Sequence, residues 1–432
     1  MSRVRVRLES AVLLVCIVVL SGCAPHARPT FGPDAGPALE TASEPIAGQA
    51  VTKATPAPTE SEQNATERRA AWLRRAGLGP HAASLQDWDG IVEEAKREGK
   101  VTVYSSSSRL KQAAEGFMAS YPEIQVEALD MGTKDAILTL QHEQITGEHR
   151  CDVYFAGNAP VLSQELLADG MAWTFVPPQL TEVLGEEHRN PLVQRLSVDV
   201  LIYNTDAYEA PPIDSWWDLT RPEWKGKTVM LDPTHRPDGM HLFVAMVQHP
   251  EDMAMAYEIE VGESIRLDEE CESAGYQWIK DFLKARPVLV GSGIEVAEAV
   301  GVPDQFDPPI GICPYAQYSK AIRHSLYFEP VFDLSPFSSV PVPTCLAIAD
   351  SAPHPNAAKL MIRWLMGDPS QERMAGFGPW WVLGEYSPRS DIPTPAHARP
   401  WPEVASSARP VDYRFAYRET ERVREFWLAH LP

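Results

Sequence analysis

Five short stretches carry side chains able to hold a small solute, and they offer hydroxyls and backbone N–H groups more than nucleophiles. Ser105-Ser106-Ser107-Ser108 stands between an apolar strand pattern and a helix pattern, which gathers hydroxyls and amides at one positive helix end. One serine would suffice as a cap, so four in succession favour a ligand role over capping alone. Thr234-His235-Arg236-Pro237-Asp238-Gly239 lies between Asp232-Pro233 and an apolar helix pattern over 240–247. A proline near a helix start leaves the following N–H groups pointing outward, which suits an anion; capping by Thr234 or Asp238 is the competing reading, and for Asp238 the preferred one. Gly157-Asn158, after a strand over 152–156, either lets the backbone approach a ligand closely or makes a simple turn. Gly291-Ser292-Gly293 opens a helix over 294–300 and is either a cradle for a ligand oxygen or a tight connection. Tyr315 and Tyr318 follow a strand over 310–313.

Covalent chemistry finds no such gathering. HExxH, GxSxG and CxxC do not occur, Gly291-Ser292-Gly293 lacks the spacing of a nucleophile elbow, and the twelve histidines are scattered singly. The sequence therefore assigns no catalytic residue, no metal-ligand set and no cofactor.

The elements that position these loops follow from periodicity. Asp87 or Asp89 caps an amphipathic helix that ends at Gly99, and a strand over 101–104, a helix over 110–121, a strand over 124–129, a helix over 135–146 and the strand over 152–156 come next. Alternating strands and helices imply α/β layers with mostly parallel sheets, in which ligands sit beyond the C-terminal strand ends. The globular composition from about Asp87 onward, about 340 residues, exceeds what one core usually serves, so two lobes are expected.

The N-terminal part has a different character. Arg3, Arg5 and Arg7 precede an apolar run over 11–20 and then Leu20-Ser21-Gly22-Cys23, which reads as a lipoprotein export signal over 1–22 with Cys23 as the lipidation point. The run is shorter than the roughly 18 to 20 apolar residues of a membrane-spanning helix. Residues 23–66 read as a lipidated disordered tether: seven prolines, with Phe31 the one aromatic residue. Its reach as a flexible coil is roughly 35 Å. A short charged helix over 67–76 bridges tether and body. Removal of residues 1–22 takes away Arg3, Arg5, Arg7 and Glu9, so the formal net charge falls from −21 to −23. Such a surface disfavours nucleic acid and anionic membranes as partners, and it favours a monomer through repulsion between copies. Cys151, Cys271, Cys313 and Cys345 remain, and three disulfide connectivities are open to them.

From Trp88 to Pro393 the order of residues resembles the extracellular solute-binding proteins of ABC importers, the class II periplasmic binding protein fold, especially the branch of ferric-iron-binding proteins. The resemblance rests on Glu94 through Tyr104, Phe117 through Pro122, Asp152-Val153, Leu201 through Thr205, Trp216 through Leu219, Glu223 through Lys227, Asp232-Pro233, His354 through Leu360, and Gln371. It implies two α/β lobes with mixed sheets around a central cleft, residues 86–195 plus 332–382 forming one and 196–331 plus 383–432 the other. It places Cys151 and Cys345 in one lobe and Cys271 and Cys313 in the other, so proximity within each lobe is expected. Trp216 falls in a motif of the family, so packing explains Trp216-Trp217 better than sugar stacking does.

The iron-binding branch carries an adjacent tyrosine pair where this chain has Tyr318 followed by Ser319, a histidine where it has Ser108, and a glutamate where it has Gly157. Ferric iron is a hard cation that needs several anionic oxygens, so these departures weaken the iron reading. The reading adopted is a lipid-anchored binding component of an ABC importer, at the periplasmic or extracellular face of the cell envelope. It captures a small phosphorylated or carboxylated solute by lobe closure and delivers it to a permease and its ATPase. Ferric iron or an iron complex is the alternative cargo, and a ligand-sensing lipoprotein that presents itself to a membrane receptor is the alternative role.

Overall fold

The computed structural model describes residues 60–236, 238–324, 326–367 and 372–432. The export signal, Cys23, most of the tether, Pro237 and Gln371 lie outside the described residues. The strands are β1 (Lys100–Ser105), β2 (Gln125–Asp130), β3 (Val153–Ala156), β4 (Ala172–Trp173), β5 (Leu192–Asn204), β6 (Thr228–Leu231), β7 (Val288–Val290), β8 (Ile310–Pro314), β9 (Phe328–Val331), β10 (Pro341–Ala349) and β11 (Glu385–Tyr386). The helices are α1 (Glu60–Ala76), α2 (Trp88–Glu98), α3 (Leu110–Ser120), α4 (Thr133–Thr146), the single turn α5 (Ala159–Val161) running on into a π turn over Leu162–Leu167, α6 (His241–Gln248), α7 (Pro250–Val261), α8 (Ala274–Lys284), α9 (Gly293–Gly301), α10 (Tyr318–His324), α11 (Pro355–Leu365), α12 (Trp401–Ser407) and α13 (Tyr413–His430).

Local chemistry sets several of these bounds. Asp87 accepts from the Gly90 N–H at the start of α2, and Gly99 ends that helix with φ of 69°, a left-handed turn that costs a glycine nothing. The strands run in the order β2-β1-β3-β10-β5-β8-β6-β7. Pairing is parallel within β2-β1-β3 and within β8-β6-β7, and antiparallel where β10 and β8 flank β5. The sheet is therefore mixed.

The long strand β5 joins the two groups. Its residues Leu192 to Val198 pair with β10, and Asp199 to Asn204 pair with β8 and β9. Side-chain alternation along it divides two cores: Val200 and Ile202 join one, Leu201 and Tyr203 the other. The first core holds β1, β3, β10, α3 and α11; the second holds α6, α7, α8, α13 and the tryptophans Trp216, Trp217 and Trp278. Trp216 donates its indole N–H to the Phe337 carbonyl at 2.7 Å and Trp217 to that of Met253 at 2.9 Å, so this pair is packing. β11 pairs with Leu196 and Ser197 of β5, on the β10 side of the crossing, although residues 383 onward were expected with the other lobe.

One expectation needs correction. α1 begins at Glu60, inside the stretch read as tether, because the last proline there is Pro58 and the residues after it tolerate a helix. It docks through Trp72, whose indole donates to the Ala352 carbonyl at 3.0 Å. The four cysteines Cys151, Cys271, Cys313 and Cys345 are buried free thiols, so none of the three open connectivities forms among the described residues. Burial pushes each thiol up, which keeps them protonated and unreactive.

One pair with a buried carboxylate gives the fold a pH dependence. The carboxylate of Asp152, fully buried, accepts from the backbone N–H of Thr102 at 2.7 Å and of His354 at 2.8 Å, and His354 Nδ1 lies 2.9 Å from it. The hydrogen bond to Asp152 raises the pKa of His354 above its usual 6.5 against the opposing effect of burial. A raised imidazole contributes stability in full below the unfolded value and loses it as pH rises through the folded one. The stability difference between the wild type and His354→Gln should therefore shrink as pH rises from 6 through the range above 6.5. Urea unfolding at both ends of that range checks it; a constant difference would refute the linkage.

Candidate functional site

The C-terminal ends of β2, β3 and β6 open onto one cavity of about 770 Å³, a size suited to a small solute. The turn after β2 contributes Gly132, Thr133 and Lys134, and α4 continues the wall with Ile137, Leu138 and Gln141. Asn158, Pro160, Val161 and Glu165 follow β3; Thr234, His235, Arg236 and His241 follow β6. A third wall comes from α13, through Ala416, Tyr417, Thr420, Glu421 and Arg424.

Each loop has a local reason for its shape. Asn158 sits at φ of 59° and its side-chain oxygen accepts from the Val161 N–H at 3.4 Å, so it caps α5 in a left-handed conformation that asparagine tolerates. Asp232 accepts from both the N–H and the hydroxyl of Thr234, at 2.9 and 2.6 Å, which fixes the turn after β6. His235 stands exposed beside it.

Behind this turn lies a charge cluster. The guanidinium of Arg236 stands 3.7 Å from Asp199 of β5 and 3.4 Å from Asp238. Burial alone would lower the basicity of Arg236, but the two carboxylates raise it instead. Burial would likewise push Asp238 up, yet Arg236 holds it below the usual carboxylate range. Burial pushes Asp199 up despite the same arginine. Burial lowers the pKa of His241, so the imidazole tends to neutrality, and its Nδ1 is buried without a hydrogen-bond partner. Asp238 acts through this ion pair rather than as a side-chain cap of α6, whose N-cap position is Met240.

The structure thus brings Asn158, Thr234 and His235 to one cavity, from opposite sides of the β5 crossing. Gly157 precedes Asn158, and its carbonyl accepts from the Tyr154 hydroxyl at 2.7 Å. The other sequence-derived residues sit on different loops. Ser105 is fully buried, with its Oγ accepting from the Ser107 N–H at 3.1 Å; the Ser107 hydroxyl accepts from the Trp380 indole at 3.0 Å; Ser106 and Ser108 are exposed. Ser292 caps α9 by accepting from the Glu295 N–H at 3.4 Å, and its hydroxyl donates to the Glu295 carboxylate at 2.7 Å, which places a negative charge at that helix start. Tyr315 is buried, stacked on Tyr318 with ring centroids 6.0 Å apart, and its hydroxyl accepts from the Arg399 N–H at 3.2 Å. Tyr318 packs edge-on against Phe328. Burial raises both phenols, Tyr315 and Tyr318.

Sequence reasoning missed Thr133, Lys134, Arg236, His241 and all of α13. The turn after β2 obeys the same strand-to-helix rule as the loops that were chosen, and Arg236 lies inside a quoted loop. For α13 no local signal exists. A second cavity of about 770 Å³, lined by Arg68, Arg69 and Arg75 of α1, lies away from these strand ends, and Arg69 is bound to Asp350 at 2.9 Å.

Residues 101–378, well over half of the chain, match the family described as bacterial extracellular solute-binding protein. The chain belongs to that family. This solute-binding protein is thus a member of a group of substrate-binding transport proteins rather than enzymes, placed outside the cytoplasm. Its fold is that of the class II periplasmic binding proteins. Iron-bound HitA from Pseudomonas aeruginosa is similar at a TM-score of 0.57 and 16% identity, covering 77% of this chain and 99% of that one. AfuA from Actinobacillus pleuropneumoniae, with fructose 6-phosphate bound, gives 0.55 at 16% identity over 77% and 98%. Trichodesmium IdiA (FutA), with iron and citrate, gives 0.54 at 14% identity over 77% and 99%. No curated protein matches the sequence. Among the described residues no helix is long and apolar enough to cross a membrane.

Proposed function

We propose that this solute-binding protein is the capture component of an ABC importer, held at the cell envelope by lipid on Cys23, and that its cavity takes a small oxyanionic solute. The observation that carries the reading is the cavity lining: Lys134, Arg236 and Arg424 converge with the hydroxyl of Thr133 and the side-chain NH2 of Asn158, whose oxygen already caps α5. Cations and neutral hydrogen-bonding groups in a partly desolvated space favour carboxylates and phosphates. Walls from both sides of the β5 crossing suit capture by closure, the solute shifting the population through its greater affinity for the closed form.

Ferric iron is the second reading, supported by the iron named for HitA and for IdiA. Against it, Tyr315 and Tyr318 do not line this cavity.

Calorimetric titration with inorganic phosphate, fructose 6-phosphate, citrate and ferric citrate tests the reading. Saturable binding of fructose 6-phosphate or citrate, without iron, is the expected result. Binding of ferric iron alone, with a visible phenolate-to-iron band that disappears in Tyr318→Phe, would overturn it.

A further inference from the structure

The C-terminal helix α13 lies beyond the family match, which ends at residue 378, yet it forms a wall of the cavity. It is anchored firmly: Ala416, Val423 and Trp427 are fully buried in the second core, and the Trp427 ring lies 4.6 Å from that of Phe243. It also reaches the other side of the crossing. The Tyr417 hydroxyl donates to Glu165 at 2.8 Å, and Gln141 donates to the same carboxylate at 2.8 Å, which ties α13 to α4 and to the π turn after α5.

The cations of the cavity differ in how far they are already neutralised. Arg236 is held between Asp199 and Asp238. Lys134 is exposed and makes no ion pair among the described residues. Arg424 has only Glu421, at 3.8 Å, and its Nε is buried without a hydrogen-bond partner. A buried guanidinium N–H with no acceptor is costly unless something else supplies one. His241 presents a second such atom: the residue is 7% exposed, lines the same cavity, and leaves Nδ1 unpaired.

The geometry points to Arg424 as a specificity-determining residue of this protein, completing from α13 an oxyanion site whose opposite wall carries Lys134. The solute class is an organic phosphate or polycarboxylate, with two cationic walls to bridge. The inference rests on the oxyanion reading of the cavity and deepens it.

The test is calorimetric titration of the full chain with fructose 6-phosphate and with citrate, for the wild type, Arg424→Gln, Arg424→Lys and Arg422→Gln. Arg422 faces away, bound to Glu272 at 2.9 Å, and serves as the control. The expected result is affinity weakened by about tenfold or more in Arg424→Gln, a smaller loss in Arg424→Lys, no change in Arg422→Gln, and a shallower salt dependence in Arg424→Gln. Unfolding midpoints of the two Arg424 variants close to that of the wild type would separate this from a folding defect; Arg424 is 30% exposed, so the helix should tolerate both. Wild-type affinity in Arg424→Gln would overturn the assignment while leaving the oxyanion reading intact. Failure of the wild type to bind either probe would overturn the reading itself, and the assignment with it.

Discussion

Trp427→Ala should lower the free energy of unfolding by about 3–5 kcal/mol and weaken solute binding at the same time. The indole is fully buried between Phe243 and Phe282, with centroids at 4.6 and 6.3 Å, so truncation leaves a cavity that the surrounding helices cannot fill without moving. The affected helix is α13, which carries Tyr417, Thr420 and Arg424 into the cavity. A comparison of two tryptophans sharpens the expectation. Trp278, equally buried, donates its indole N–H to the Trp216 carbonyl at 2.8 Å, whereas the Nε1 of Trp427 has no partner. Replacement by phenylalanine removes similar volume in both cases but orphans a buried carbonyl only at Trp278. Trp278→Phe should therefore cost about 1–3 kcal/mol more than Trp427→Phe. Urea unfolding followed by far-UV circular dichroism measures all three variants, and equal costs for the two phenylalanine variants would contradict the hydrogen-bond assignment.

The parts of this molecule that local sequence dictates were readable in advance. From α2 to β3 the alternation of strand and helix periods, the Asp87 cap and the Gly99 stop locate each element to within a residue or two. Rules for loops at C-terminal strand ends pointed to Asn158, Thr234 and His235, which do line one cavity. What they could not show is the use made of a hydroxyl once the chain has folded. Ser107 meets Trp380, 273 residues later, and Ser292 turns to its own Glu295. A serine run looks the same on the page whether its hydroxyls face a solute or an indole. The contribution of α13 was hidden for the same reason. Its amphipathic pattern shows a packed helix, but only the fold places Tyr417 against Glu165, 252 residues away.

Gly239→Ala should abolish most solute binding while leaving the fold standing, because it acts on the one turn that holds Arg236. A methyl group there would come within 2.1 Å of the Pro233 carbonyl oxygen and 2.9 Å of its Cα, and backbone atoms on both sides must shift to admit it. That shift pulls apart the turn in which the Gly239 N–H donates to the Arg236 carbonyl at 3.1 Å, and with it the seating of the guanidinium between Asp199 and Asp238. An overpacked site of this kind costs about 1–3 kcal/mol of stability. A charged contact displaced by an ångström or more should lower affinity by about 100-fold. Gly226→Ala provides the contrast: its φ of +74° strains an alanine, but no atom lies within 4 Å of the added carbon, so it should cost about 1 kcal/mol of stability and nothing in binding. Titration with fructose 6-phosphate and citrate, beside urea unfolding of both variants, separates the two effects. Wild-type affinity in Gly239→Ala would show that the turn after β6 does not hold the solute, and would leave the cavity's binding to Lys134 and Arg424.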